Sequence, residues 1–204
     1  MNDLQKQFLD RATAEAVKAN HPFPKMAACE AALESSWGNS QLAREACNLF
    51  GMKEHQHNAF GKINLPTREW SAAQGWTQVP GADWEKYPDW RACFCDRLVT
   101  LERLSNAYAH YKRALDARDA RTYIVEVSES WSTDPGWQCS CGEKFLSQSE
   151  AFAHTQGITT PSPAVITCVP GLGRALKVLG IYSEYVAVPS AASLGAASPP
   201  SDKV

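Results

Sequence analysis

The stretch MAACEAALESSWG, residues 26–38, constrains this chain more than any other. Alanine is the strongest helix former and adds almost no bulk, so the segment reads as a short, mostly apolar helix. Pro24 suits its first turn, and it runs to about Ser36 before Gly38 ends it. Glu30 and Glu34 stand four apart on one face, with only Ala27 and Ala31 beside them, which opens that face to a ligand. A rigid, apolar seat aims a carboxyl group and holds its proton near neutral pH, and a second carboxylate raises its pKa further. The plainer reading of the spacing alone is a solvated acidic face on an ordinary helix.

Composition narrows the class. A chain of 204 residues and 22.4 kDa is long enough for one domain with a full core and room for a small appendage. Its 20 basic and 22 acidic residues give a formal charge of −2, without the basic footprint of a nucleic-acid binder. No apolar run approaches the ~18 residues of a membrane span. The start, MNDLQKQFLDRATAEAVKAN, reads as an amphipathic helix instead of a charged-then-apolar leader, so the chain is expected to be made as a soluble cytoplasmic protein. Seven cysteines are many for such a protein, and an odd number cannot all pair within one chain. Free thiols, a metal site and partial oxidation all stay open.

Along the chain, Asp3 can cap a first helix whose Leu4, Phe8, Ala12 and Ala16 recur every four residues, widened by Leu9 and Val17. Ser40 to Ala46 forms another short helix, and His55 and His57 follow in a polar loop as solvated histidines. From Phe60 to Gln78, turn residues alternate with β-formers and predict a small irregular hairpin carrying Glu69 and Trp70. An aromatic ring beside a carboxylate suits sugar binding, because a pyranose has an apolar face to stack on, although an exposed hairpin glutamate fits equally. A long helix from Arg91 to about Leu115 follows, with Phe94, Leu98, Leu101 and Leu104 inward, Cys93 in the core and Cys95 at the surface. Asp116 can cap the next helix, which turns Tyr123, Ile124 and Val127 inward and ends at Ser130–Pro135.

These residues together resemble glycoside hydrolase family 73, the N-acetylglucosaminidases of cell-wall autolysins, flagellar rod-associated muramidases and phage endolysins. Ala31-Ala32-Leu33-Glu34-Ser35-Ser36-Trp37-Gly38 is similar to the family's A-A-L-E-S-G-W-G, and Asn48-Leu49-Phe50-Gly51-Met52-Lys53 to its N-L-F-G-I-K. Leu65-Pro66-Thr67-Arg68-Glu69-Trp70 resembles L-P-T-x-E-Y, Tyr87 to Asp96 resembles Y-x-S-x-x-x-S-F-x-D, and Trp131 to Pro135 resembles Y-A-T-D-P. Matches in this order are far more specific than any one alone. The resemblance implies an α+β, mostly helical, lysozyme-like fold with a small β-hairpin lobe across a cleft. It places Glu34 as general acid and Glu69 as second carboxylate, with Glu30, Trp37, Trp70 and Trp131 along the substrate. The implied substrate is the β-1,4-linked glycan of peptidoglycan, cleaved by a monomer with no catalytic cofactor.

Three positions depart from the family pattern: Glu30 stands where glutamine is common, Ser36 where glycine is usual, and Trp131 where a tyrosine is assigned to the site. An indole packs on a sugar and donates through its N–H, but it cannot relay a proton as a phenol can. If Glu69 activates water, inversion follows and the two carboxylates stand roughly 6.5–9.5 Å apart; a more distant Glu69 leaves the nucleophile's role to the substrate's acetamido group. A non-catalytic wall-binding module is the alternative reading.

The family pattern is interrupted at residues 138–168 by an insert carrying Cys139, Cys141, His154 and Cys168. Cys141 to His154 resembles a C2H2 zinc finger, C-G-x-x-F with twelve residues between the cysteine and the histidine. It departs in the single residue between Cys139 and Cys141 and in lacking a second histidine, for which Cys168 is a candidate replacement. A structural zinc, a disulfide and free thiols are the three readings of this insert. The domain is thus expected over residues 1–137 and 169–186, with a disordered proline-rich tail from 187 to 204. Without a leader, the chain is expected to reach the wall after holin-type release or another export route.

Overall fold

The computed structural model describes residues 1–55, 59–71, 75–132, 134–156 and 165–187, with side chains at 68–71, 75 and 76 outside the description. Helices α1 (Asp3–Lys18), α2 (Pro24–Glu34) and α3 (Gln41–Ala46) come first. A hairpin of β1 (Lys62–Ser71) and β2 (Gly75–Glu85) leads to α4 (Trp90–Leu104), α5 (Ala109–Leu115) and α6 (Ala120–Trp131). The insert adds β3 (Gly136–Cys139), β4 (Lys144–Phe145), α7 (Gln148–Gln156) and β5 (Ile166–Val169), and α8 (Leu172–Ala187) ends the described chain. No helix among the described residues is long and apolar enough to cross a membrane.

Helix α2 is the centre of the helical body. Met26, Ala27, Ala28, Cys29, Ala31 and Ala32 are all buried, so the segment has no solvated face over these turns. Its alanines let α1, α6 and α8 approach on several sides. The α1 helix packs through Phe8, Leu9, Ala12 and Ala16, while Leu4 and Val17 of the expected stripe face solvent. Its cap is Asn2 instead of Asp3, through a reciprocal box with Gln5.

Two other helical expectations shift for local reasons. The long helix expected over 91–115 is broken between Leu104 and Ala109, where Ser105 and Asn106 favour side-chain bonding over helix and the Ser105 hydroxyl donates to the Glu102 carbonyl. The break turns α5 so that Tyr111 is buried. Asp119, not Asp116, caps α6, accepting from the Thr122 amide and hydroxyl.

The hairpin is longer than the expected Phe60–Gln78. Pro80 and Gly81, beyond that expected end, fall at the register irregularity opposite Pro66, where the missing proline N–H costs no ladder bond. Asn48 fastens the hairpin's base to the body. Its amide donates to the Met52 and Glu85 carbonyls, and its oxygen accepts from the Met52 N–H. This is the physical content of the Asn48–Lys53 motif.

Helix α2 ends at Glu34, and the chain then passes through three left-handed residues, Ser36, Trp37 and Gly38. The turn is held by the Ser35 hydroxyl, which donates to the Ala31 carbonyl and accepts from the Gly38 amide. Ser36 carries a Cβ at φ +51°, a conformation that costs an L-residue about 1 kcal/mol.

The core also contains charge. Glu30 has no exposed surface, and its Oε1 accepts from Arg97 at 2.7 Å and from Arg174 at 2.7 Å. The role expected for Glu30, along the substrate and raising the pKa of Glu34, is therefore corrected: no ligand reaches it, and two guanidiniums neutralise it. Burial alone pushes the Glu30 pKa up, but Arg97 and Arg174 outweigh it and bring it down to about 2.

Two predictions follow from this core. Ser36→Gly should raise stability by about 0.5–1 kcal/mol, read as a higher thermal midpoint, because glycine adopts a left-handed backbone without strain. Glu30 ionises more readily in the folded chain than in the unfolded one, so it contributes stability above the ordinary carboxylate range that disappears as pH falls from about 4.5 to about 2. Glu30→Gln should cost about 3–5 kcal/mol in urea denaturation at neutral pH, by leaving buried guanidiniums uncompensated, and should flatten the stability profile across that acid window.

Candidate active site

The site grows from the last residue of α2. Glu34 keeps 26% of its side chain exposed, while Arg174 Nε donates to its Oε1 at 2.6 Å. Arg174 is almost fully buried and divides its remaining donors between Glu30 and the Ser128 hydroxyl, at 2.7 and 2.8 Å. One planar fork thus ties α2, α6 and α8 together and leaves the Glu34 carboxyl no freedom at one oxygen. The apolar seat expected for Glu34 is in fact a cationic one.

Arg174 reaches this position because glycines surround it. A Cβ on Gly173 would collide with the Pro135 carbonyl, and one on Gly171 with the Ser128 carbonyl. The first turn of α8 therefore lies directly against the end of α6 and the entry to the insert, where the Gly173 amide donates to the Asp134 carbonyl at 3.2 Å.

Glu34 opens into a cleft of about 510 Å³. Phe50, Gly51 and Lys53 line it from the Asn48–Lys53 turn, Trp84 from the hairpin, Tyr111 from α5, and Ser130 and Trp131 from α6. Lys53 and Trp84 face each other across an antiparallel bridge, with the ammonium 5.8 Å from the ring centroid. Trp131 stacks under the Arg97 guanidinium at 3.7 Å. The same guanidinium donates through Nη2 to Glu30, which fixes it against the ring.

Trp131 is thus brought beside Glu34. Trp37 is not: its ring packs edge-on against Phe8, 6.2 Å between centroids, and lines a separate groove with Asn2 and Gln5. The left-handed turn after Glu34 sends Trp37 to the α1 side, which corrects its expected place along the substrate. Glu69 pairs with Thr77 and Trp70 with Trp76 through the backbone of the hairpin, but both side chains lie outside the described residues. His57 and the tail from 188 onward also lie outside them.

The sequence reading missed Arg174, Arg97, Trp84 and Tyr111. A signal existed for the arginines, since each lies on an otherwise buried helix stripe, Arg97 between Phe94 and Leu101 and Arg174 among Leu172, Ala175 and Val178. Tyr111 supplies a phenol to the same cleft in which Trp131 replaces one. Burial raises its pKa.

In the insert, β3 is the central strand of a sheet ordered β4-β3-β5. Cys139, Cys141 and His154 converge there, with Cys141 Sγ 3.2 Å from His154 Nε2. Cys168 stands on β5 opposite Trp137, with an exposed thiol.

Comparisons with known proteins agree with this architecture. The model of the glucosaminidase family, described as mannosyl-glycoprotein endo-beta-N-acetylglucosaminidase, matches residues 10–145. The exo-glucosaminidase LytG of Bacillus subtilis (strain 168) is 43% identical over 140 residues, which cover 66% of this chain and 48% of that protein. The chain therefore spans about half the length of this curated relative. Among solved structures, the catalytic domain of the autolysin Auto from Listeria monocytogenes aligns with a TM-score of 0.55 at 21% identity, covering 91% of this chain and 86% of that one. A C-terminally truncated glycoside hydrolase domain of FlgJ from Salmonella typhimurium aligns with a TM-score of 0.54 at 20% identity, covering 91% and 99%. The fold is accordingly α+β, mostly helical and lysozyme-like. By the extent of the family match, the chain belongs to the glucosaminidase family of glycoside hydrolases.

Proposed function

We propose that this protein hydrolyses β-1,4 glycosidic bonds of bacterial peptidoglycan at N-acetylglucosamine, with Glu34 as general acid, in the service of cell lysis. The observation that carries the reading is the placing of Glu34: one carboxyl oxygen is anchored by Arg174, and the group faces a cleft walled by Trp84, Tyr111 and Trp131. Aromatic walls suit a glycan chain, because each sugar ring has an apolar face, and Gly51 leaves the floor without a side chain.

In this mechanism a glycan strand lies between the hairpin and the α6 end, and Glu34 delivers its proton to the leaving glycosidic oxygen as the bond breaks. The oxocarbenium-like centre that develops needs a nucleophile on its other face. Glu69 acts there as base or electrostatic partner, carried on the hairpin that Asn48 fastens to the body. Trp131, held by Arg97, supports a sugar ring without handling a proton.

Glu34→Gln is isosteric and keeps an acceptor for Arg174, so it should retain the fold while release of reducing ends from purified peptidoglycan falls at least ~100-fold. Near-normal release by that variant would refute the assignment of Glu34. Glu69→Gln should lose less activity but still a large share, measured in the same assay; unchanged turnover would remove Glu69 from the mechanism. Mass spectrometry of the released fragments identifies the reducing-end sugar and hence the bond cleaved.

A further inference from the structure

We propose that Cys139, Cys141 and His154 bind a structural zinc ion, with Cys168 completing the tetrahedron, and that this ion holds the insert together. The three ligand atoms all lie within 4.8 Å of one another. Bonds of about 2.3 Å to sulfur and 2.0 Å to nitrogen at tetrahedral angles place ligand atoms roughly 3.5–3.8 Å apart. The 3.2 Å from Cys141 Sγ to His154 Nε2 is already within a few tenths of an ångström of that spacing. Thiolates with an imidazole are the donor set that selects zinc over the oxygen-seeking cations.

Local structure builds the pocket around these atoms. Cys139 closes β3, and the chain reverses through Gly142 at φ +98°, with the Gly142 amide donating to the Cys139 carbonyl and the Cys139 amide to the Glu143 carbonyl, both at 2.8 Å. Ser147 and Glu150 start α7 with a reciprocal cap, which fixes the turn that presents His154. The Phe145 ring packs on the His154 imidazole, 5.0 Å between centroids, and orients it. Cys168 pairs across β5 with Trp137, and Ile166 with Cys139, so Cys168 and Cys139 project from the same face of the sheet as diagonal neighbours. Cys168 stands outside the three that already converge, so the fourth bond requires its exposed side chain to rotate toward them.

A second observation is independent of the ligands. Between residues 137 and 169, only Cys139 and Ala151 are fully buried among the described residues, while Leu146, Phe152 and Val165 are at least half exposed. So little buried apolar surface does not hold a sheet and a helix together unaided, and small units of this kind are secured by a metal or a disulfide. A disulfide among the cysteines would leave the approach of His154 to Cys141 without a purpose. The arrangement needs no catalytic role for the ion, since the insert's ligands stand apart from the residues that line the Glu34 cleft.

The test uses the full chain purified without chelator and dialysed against zinc. Elemental analysis should find about one equivalent of zinc, which Cys141→Ser and His154→Ala each reduce severalfold while the far-ultraviolet dichroism of the helical body persists. Cobalt substitution should give a thiolate-to-metal charge-transfer band that loses about a third of its intensity in Cys168→Ser, as three thiolates become two. Chelation should open proteolytic cleavage within residues 138–168 and spare the body. Less than a tenth of an equivalent of zinc in the wild-type chain, or a cobalt spectrum without the thiolate band, would overturn the proposal; an unchanged band in Cys168→Ser would strike that residue from the ligand set. Loss of zinc leaves the Glu34 assay as a separate readout, so this proposal and the glycosidase reading fail independently.

Discussion

One guanidinium organises the half of this molecule that holds the Glu34 cleft. Arg174 spends its donors on Glu30, Glu34 and Ser128, joining three helices at a point nearly sealed from solvent. Two carboxylates and two guanidiniums make the set formally neutral, which is the condition under which charge can be buried at tolerable cost. Within it, Glu34 alone reaches the surface. Glu30 acts as the counter-charge that keeps both arginines in place, so the pair of glutamates divides into one structural and one exposed member although both stand on the same helix.

The cleft follows from that anchoring. Arg97, fixed by Glu30, carries Trp131 on its face, and the break between α4 and α5 brings Tyr111 to the same wall. Opposite them, the Asn48 side chain binds the body and the hairpin base through three hydrogen bonds, which sets where Trp84 stands. Rigid helices thus fix Glu34, and a thinner lobe carries Trp84 to the opposite wall of the cleft.

Much of this was legible in the chain. The alanine helix, its terminal glutamate, the hairpin and the inward faces of α4 and α6 follow from periodicity and turn residues, and the family resemblance supplied their assembly. What escaped the reading was a matter of dimension. Four-residue spacing puts Glu30 and Glu34 on one face but cannot say that the face is packed against two arginines from helices far along the sequence. An arginine on a buried stripe signals an acidic partner without naming it. Trp37 was misplaced because three successive left-handed residues, one of them a serine, reverse the chain after Glu34; helix periodicity ends one turn too early to describe that. In the insert, cysteine spacing announced a metal-like pattern, and only the ββα folding showed which three side chains meet.

The position of Arg174 has a consequence for how much of the chain the Glu34 cleft depends on. Sequence similarity to the family covers residues 10–145, and a boundary drawn there keeps Glu34, Trp84 and Trp131. It discards α8, and with it the only group that bonds Glu34, Glu30 and Ser128 together among the described residues. A fragment cut at that limit would contain every residue of the glutamate motifs yet leave Glu34 unanchored and Glu30 with one guanidinium instead of two. The unit that holds Glu34 in place therefore extends to the first turn of α8, and the chain must run through residues 138–168 before that anchor is complete.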